Sequence, residues 1–192
     1  MLMQVIAGSA RRLLLRTLPG TETRPTSGQI KETLFNILQP ETEGSRFLDL
    51  FAGSGGIGIE ALSRGAKYCV FVDHSRQAAA CIGENLRHTK LDGKARVMTC
   101  DAPAALRRLE AAGEKFDLVF LDPPYDLGVY RRILEILGGS SLLSPDALVI
   151  AEARREEDFS FAEDCGFTVV REKVYKSNKH VFLRGKETDH EP

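Results

Sequence analysis

The sequence predicts an α/β fold with three αβα layers, in which helices cover both faces of a seven-stranded, mostly parallel sheet that ends in an antiparallel C-terminal hairpin. Two observations lead to this prediction. Short apolar segments alternate with helical segments along the chain, as in parallel strands joined by crossover helices. Four successive strands close on an aspartate, and the carboxyl ends of parallel strands share one edge of the sheet. We therefore expect a ligand site at that edge.

The stretch FLDLFAGSGGIGIEALSRG, residues 47–65, joins a buried strand, a glycine-dense turn and a helix. The strand carries Asp49, and the turn contains Gly53, Gly55 and Gly58. Glycine has no Cβ, so the backbone of such a turn can approach a ligand closely. This stretch predicts the first part of the binding site.

The remaining elements follow in chain order. The other predicted strands are residues 67–72, 95–100, 116–121 and 147–151, and then a hairpin of residues 167–174 and 180–183. The strand-closing aspartates are Asp49, Asp73, Asp101 and Asp122. Helices are expected near residues 75–86, 104–111 and 130–137, and the charged segment 152–158 is expected to be solvated.

The N-terminal stretch is the most basic part of the chain. Arg11, Arg12 and Arg16 suit either a solvated strand face or a phosphate-binding arm, and the residues alone leave both open. Thr26 is predicted to cap a helix that Pro40 stops. Arg24 and Thr26 precede this helix, where backbone N–H groups favour an anion.

Composition excludes several classes of protein. The 192 residues suggest one domain, and a net charge of −1 gives no general attraction to nucleic acid, so any such contact needs a local patch. With no signal peptide and no apolar run of about 18 residues, we expect a soluble, cytoplasmic protein. The cysteines and histidines lack metal-ligand spacing, so we expect no metal site. We expect four reduced thiols, Cys69, Cys81, Cys100 and Cys165, and interpret the histidines as surface or packing residues: His74, His88, His180 and His190.

A nicotinamide enzyme is one alternative, because Gly53, Gly55 and Gly58 satisfy the dinucleotide fingerprint and Asp73 lies fifteen residues after Gly58. Two features oppose it. Asp49 would repel a diphosphate but attract a cationic ligand such as a sulfonium amino acid. The sequence DPPY at residues 122–125 has no role in hydride transfer.

Three segments together resemble a known family: RPTSGQIKETLFNIL at residues 24–38, DLFAGSGGIGIEALSRG at 49–65 and DPPY at 122–125. They resemble the class I S-adenosylmethionine-dependent methyltransferases, and most of all the RsmD family, which methylates the N2 of a guanine in 16S ribosomal RNA of the small subunit. The resemblance spans residues 5–183. It implies a Rossmann-like class I methyltransferase fold, S-adenosylmethionine as the cofactor, and 16S ribosomal RNA within a small-subunit assembly particle as the partner. Separately, we expect the protein to be a monomer.

The resemblance also implies roles for individual residues. Asp49 and the glycine turn would hold the methionine part of the cofactor, Asp73 the ribose hydroxyls, and Asp101 with Ala102 the adenine edge. The full implied cofactor-binding set is Thr26, Asp49, Phe51, Gly53, Ser54, Gly55, Gly58, Asp73, Asp101 and Ala102. The candidate RNA-binding set is Arg11, Arg12, Arg16 and Arg24.

The DPPY sequence suits transfer to an exocyclic amine, and its residues Asp122, Pro123, Pro124 and Tyr125 are the catalytic candidates. Such an amine is a poor nucleophile because its lone pair is delocalised into the ring. Hydrogen bonds from its N–H groups to Asp122 and to the Pro123 carbonyl would free that lone pair. The prolines stiffen the backbone, and Tyr125 offers a flat face to a base rotated out of its stack.

Other acceptors fit the same motif. Methylation of adenine N6 in DNA or of a glutamine side chain would use the same chemistry, and a binding module without turnover is a non-enzymatic alternative. The absence of a separate module for reading duplex sequence argues against a DNA-modifying enzyme. By region, we expect a basic arm or hairpin at residues 1–24, a methyltransferase domain at 25–185 and a polar tail at 186–192.

Overall fold

A computed structural model describes residues 3–19, 27–124 and 128–186, and its central element is the predicted mixed sheet. From one edge to the other, its seven strands lie in the order β5 (Ala95–Thr99), β4 (Tyr68–Asp73), β3 (Arg46–Leu50), β6 (Phe116–Leu121), β7 (Leu143–Arg154), β9 (Asn178–Gly185) and β8 (Phe167–Val174). The first five are parallel, whereas β9 pairs antiparallel with β7 and β8 antiparallel with β9. The predicted sheet and its C-terminal hairpin are therefore confirmed.

The sheet strands lie close to their predicted positions. A separate two-stranded hairpin pairs β1 (Met3–Gln4) with β2 (Leu14–Leu15).

Helices cover both faces of the sheet and give the predicted three layers. They are α1 (Ser27–Thr42), α2 (Gly56–Ser63), α3 (Arg76–Thr89), α4 (Ala102–Ala111) and α5 (Val129–Gly138), with short 3-10 turns at Asp92–Lys94 and Ser160–Glu163. One core joins the sheet to α1, α2 and α3, for example through Phe35, Ile59 and Ile82. The other core joins it to α4 and α5, for example through Leu106 and Ile133. Burial of these apolar faces is the main force that holds the layers together.

Two predicted boundaries are wrong. Pro40 does not stop α1, which continues to Thr42. A proline this close to a C-terminus removes only one backbone hydrogen bond, and the Thr42 hydroxyl donates to the Leu38 carbonyl across the same turn at 2.8 Å. Strand β7 is twelve residues long and includes Glu152, because pairing with β9 extends it beyond the apolar segment.

The N-terminal arm, residues 3–19, lies against α2 and α3. The Glu60 carboxylate accepts hydrogen bonds from the backbone N–H groups of Ile6 and Ala7 at 3.0 and 3.1 Å. Ser63 and Asn85 bond other backbone groups of the arm. The ammonium group of Lys31, only 5% exposed, lies 3.3 Å from the fully buried Glu60 and donates to the Gln4 carbonyl. A buried ion pair therefore anchors the arm.

Other expectations have mixed outcomes. All four cysteines are free thiols. In the described part of the chain, no helix combines the length and the apolar character needed to cross a membrane. Arg24, Thr26 and Tyr125 lie outside the described residues, as do residues 187–192 of the predicted tail. The division into arm, domain and tail stays a prediction.

Candidate active site

Five acidic residues occupy the carboxyl edge of the sheet, one for each parallel strand. In spatial order they are Asp101 after β5, Asp73 in β4, Asp49 in β3, Asp122 after β6 and Glu152 in β7. Neighbouring strands lie about 4.8 Å apart, so this row of carboxylates crosses roughly 20 Å of the sheet edge. The convergence of the four predicted aspartates on one rim is confirmed, and Glu152 extends it.

Two of these carboxylates fix the glycine turn. Asp49 Oδ2 accepts a hydrogen bond from the Gly58 N–H at 3.0 Å, and Asp73 Oδ2 accepts one from the Gly53 N–H at 2.9 Å. A Cβ on Gly58 would lie 2.3 Å from Phe71 Cε1, so only glycine lets α2 approach β4 this closely. The Asn85 amide donates to the Ser54 carbonyl at 2.9 Å and holds the turn from α3.

Asp49 is a buried carboxyl group in the middle of the row. The residue is 2% exposed, and burial raises the pKa of its carboxyl to about 7, with the negative charge of Asp73 adding to the effect and the Gly58 hydrogen bond opposing it. A cation bound nearby would favour the ionised form. The site is therefore electrostatically suited to a positively charged ligand.

A cavity of about 180 Å³ opens between the β4 and β5 ends and α5. Phe51, Asp73, Asp101 and Ala102 line it, so four of the predicted cofactor-binding residues lie together. Its other lining residues are Val72, His74, Cys100, Pro103, Val129, Arg132 and Ile133. The α5 residues Val129, Arg132 and Ile133 were not predicted to line the site, because their spacing indicates only a packing helix. Gly53, Ser54 and Gly55 lie in the turn and Gly58 lies in the first turn of α2, and none of them is part of this lining.

The backbone is held in an unusual conformation where the cavity meets the glycine turn. Phe51 has φ +64°, in the left-handed region that a bulky residue rarely adopts. Such strain persists only where surrounding contacts fix it, and it clusters at ligand sites.

Asp122 follows β6 directly, beside the turn. Residue 122 is exposed, so a ligand can reach it, although the surrounding protein partly desolvates its carboxylate. This desolvation, and then the negative charges of Glu152 and Asp49, raise the pKa of Asp122 well above its usual value. Pro123 is buried and Pro124 is exposed. Asp122 is thus an acceptor whose proton affinity is increased.

Glu152 was expected to be solvated, and this was wrong. Its Oε1 accepts from the Asn178 amide at 2.9 Å, and its Oε2 lies 3.2 Å from His180 Nε2. The side chain of Glu152 is 28% exposed, whereas that of His180 is 1% exposed. Only the β7–β9 pairing, which sets Glu152 opposite His180, brings these groups together. Local charge density in the sequence gave no signal for it.

The candidate RNA-binding arginines differ in their surroundings. Arg11 and Arg12 are exposed in the connection between β1 and β2. Arg16 is also exposed, but its guanidinium pairs with Glu84 at 2.5 Å. Exposed pairs of this kind contribute little to stability, so Arg16 can exchange partners. Among the described residues, no group of three or more His, Cys, Asp or Glu side chains is arranged to hold a metal ion.

The model of the family described as conserved hypothetical protein 95 matches residues 3–184 of the chain. The protein YlbH of Bacillus subtilis is 42% identical over 154 residues, which cover 80% of this chain and 84% of that protein. Ribosomal RNA small subunit methyltransferase D of Haemophilus influenzae is 33% identical over 171 residues, covering 89% of this chain and 88% of that protein.

Solved structures share the fold. The protein yhhF from Escherichia coli superimposes with a TM-score of 0.83 and 30% identity, covering 97% of this chain and 99% of that one. A more distant neighbour, SMU.776 in complex with S-adenosylhomocysteine (SAH), has a TM-score of 0.65 and 16% identity, covering 81% of this chain and 48% of that one. At that identity the likeness extends to the fold alone.

Proposed function

This chain belongs to the family described as conserved hypothetical protein 95, the RsmD family, and on that premise we propose that it transfers a methyl group from S-adenosylmethionine to the exocyclic N2 of a guanine in 16S ribosomal RNA. One observation carries the proposal. The glycine turn, the buried charge of Asp49 and the exposed acceptor Asp122 lie side by side on one sheet edge. A cationic cofactor and an amine can therefore meet there.

The residues present fit this cofactor. The cavity combines apolar walls, including Val72 and Ile133, with carboxylates at its rim, which suits a nucleoside with a flat base and two hydroxyls. Each oxygen of Asp73 accepts one backbone hydrogen bond and keeps a second lone pair for a ribose hydroxyl. Asp101 and Ala102 would contact the adenine, and Asp49 with the glycine turn the methionine part. When bound, S-adenosylmethionine supplies an electrophilic methyl group on a sulfonium.

Asp122 performs the work on the acceptor. Its carboxylate and the Pro123 carbonyl accept hydrogen bonds from the two N–H groups of the amine, and this directs the nitrogen lone pair away from the ring. As the nitrogen gains the methyl group it becomes strongly acidic and loses a proton. Asp122, whose pKa is raised by desolvation and by Glu152 and Asp49, is placed to take that proton. Positioning supplies most of the rate.

Tyr125 completes the proposed acceptor site as a stacking surface for the base. The proposal predicts that Tyr125→Phe keeps most of the activity because the ring remains, whereas Tyr125→Ala loses it mainly through KM. Equal activity of the two variants would show that stacking at this position contributes nothing.

RNA is proposed to cross the exposed arginines of the arm, Arg11 and Arg12, with Arg16 and Arg24 as further phosphate contacts. Replacing Arg11 and Arg12 with glutamate should weaken RNA binding and reduce the salt dependence, by about one unit of the log–log slope for each lost phosphate contact. The control is Arg107→Glu, an exposed arginine on α4 at the opposite face of the sheet. An unchanged slope would mean that the arm is only a solvated surface.

We extend the proposal to the setting of the reaction. The catalytic domain comprises residues 25–185, and the enzyme acts as a monomer in the cytoplasm, on a small-subunit assembly particle. Light scattering of the purified protein tests the monomer, and a comparison of naked RNA with assembly particles as substrates tests the particle.

The decisive experiment uses small ribosomal subunits from a strain that lacks the gene. Purified protein and labelled S-adenosylmethionine should leave the label in N2-methylguanosine after digestion to nucleosides. Asp122→Asn should remove the label while SAH affinity, measured by calorimetry, stays nearly unchanged. The control is Asp92→Asn, an exposed aspartate outside the row. Unlabelled subunits, or label in adenosine or protein, would refute the proposal.

A further inference from the structure

Glu152 and Asp122 form a pair of acceptors at the sheet edge. Leu121 of β6 lies in register with Ala151 of β7, so the next residues, Asp122 and Glu152, are neighbours on the same side of the sheet. The charge of Glu152 acts directly on Asp122. Two carboxylates in such proximity repel each other, and a ligand that offers several N–H donors between them would relieve that repulsion.

The Glu152 side chain is held rigidly and still has acceptor capacity. Asn178 and His180 take one lone pair on each of its oxygens, and two of its four remain. The Tyr130 hydroxyl fixes its backbone by donating to the Glu152 carbonyl at 2.6 Å, and Tyr175 lies 3.4 Å from the other nitrogen of His180. Strands β7 and β9, the connection between β8 and β9, and helix α5 thus converge on one partly exposed carboxylate, which is more support than a surface glutamate needs.

We infer that Glu152 is a specificity-determining residue, which accepts the N1–H of the target guanine while Asp122 and the Pro123 carbonyl accept its N2–H groups. The inference rests on the proposed function and deepens it. Guanine presents adjacent donors at N1 and N2, and these match two neighbouring acceptors. Adenine presents an amine beside the lone pair of N1, and a glutamine amide presents an amine beside a carbonyl oxygen. Either would place a lone pair against Glu152.

This arrangement explains how one short motif can select among amines. Asp122 and Pro123 contact any exocyclic amine in the same way, so they carry no information about the rest of the base. The group next to the amine differs between guanine and adenine, and Glu152 is the neighbouring side chain of fixed orientation and fixed polarity. A site strongly rejects a base that leaves its polar group unpaired or that places a second acceptor against it.

The test compares guanine with 2-aminopurine at the position that mass spectrometry identifies in the wild-type product. 2-Aminopurine keeps the N2 amine but has a lone pair at N1 in place of N1–H. Small-subunit RNA is assembled by ligation with either base. The wild-type protein should methylate 2-aminopurine with a kcat/KM lower by about 100-fold. Since this comparison uses the unaltered protein, it does not depend on the folding of a variant.

The second experiment uses the variant Glu152→Gln, whose amide can donate a hydrogen bond to the N1 lone pair of 2-aminopurine. The preference for guanine, expressed as the ratio of the two kcat/KM values, should fall at least tenfold. The kcat/KM for guanine should decrease, and that for 2-aminopurine should increase or stay the same. SAH affinity and the melting temperature verify folding, and the matched control Glu156→Gln removes an exposed charge four residues away and should keep the full preference.

The outcomes separate the two proposals. The role of Glu152 is refuted, and the proposed function stands, if wild-type protein labels guanine N2 but methylates 2-aminopurine equally well. The same holds if Glu152→Gln lowers kcat/KM for both substrates by the same factor. If wild-type protein labels no guanine N2 at all, the proposed function and the inference fail together.

Discussion

The substitution Asp49→Asn removes a charge that folding has to bury at neutral pH. Asparagine has nearly the same shape, and its amide oxygen can still accept the hydrogen bond from the Gly58 N–H. We expect the variant to be more stable than the wild type above pH 7 and to bind S-adenosylmethionine more weakly. The buried carboxylate lowers the stability of the free protein, and a bound cation would offset that loss.

The magnitude follows from the shifted titration. The folded protein holds the Asp49 proton up to a pKa of about 7, whereas the unfolded chain releases it near 3.8. Folding therefore takes up a proton between these values, and the free energy of unfolding falls as pH rises through that window. From pH 5 to pH 8 the loss is about 2.5 kcal/mol, with a limiting slope of about 1.4 kcal/mol per pH unit.

Urea unfolding of both proteins at pH 5, 6, 7 and 8 measures this difference. The stability of Asp49→Asn relative to the wild type should increase with pH, and most of the change should occur below pH 7. The control Asp92→Asn removes an exposed carboxylate and should give a curve parallel to the wild type. Parallel curves for Asp49→Asn would refute the reasoning, as would SAH binding that is weakened as much as S-adenosylmethionine binding, because SAH lacks the sulfonium.

Three further predictions follow from contacts elsewhere in the site. Gly58→Ala should lower stability by about 1–3 kcal/mol in urea unfolding and weaken SAH binding, since its Cβ would clash with β4, while Gly93→Ala, with nothing within 4 Å, should change neither. Glu60→Ala should cost about 3–5 kcal/mol in the same assay, because it leaves Lys31 buried without its partner. The kcat/KM profile should rise with pH towards the raised pKa of Asp122, and a flat profile from pH 5 to 9 would contradict its role as an acceptor.

Local sequence carried the information for most of the fold. Buried parallel strands leave continuous apolar runs, and glycines mark the turn that approaches a ligand, so both are visible without coordinates. The common position of the strand-end aspartates was also predictable, because the carboxyl ends of parallel strands share one edge of the sheet. The strand boundaries were harder to predict from the sequence, since β7 extends beyond its apolar segment through pairing with β9.

The features that the sequence did not reveal depend on contacts between distant residues. Glu152 belongs to a run of charges and was interpreted as solvated, but His180, 28 residues later, pairs with it across the sheet. Glu60 lies inside the helix after the glycine turn, where nothing in the spacing indicates that the arm 53 residues earlier will bond to its carboxylate. Long-range partners of buried polar groups are set by topology, which local patterns do not encode.

The way the arm is attached has a practical consequence for anyone who shortens this protein. A version that begins near residue 25, at the start of the catalytic segment, would look harmless because it keeps the whole seven-stranded sheet. It would also remove two amide donors from Glu60 and the carbonyl partner of Lys31, and so expose to water a buried ion pair between α1 and α2. Affinity tags and fusions are better placed at the other terminus.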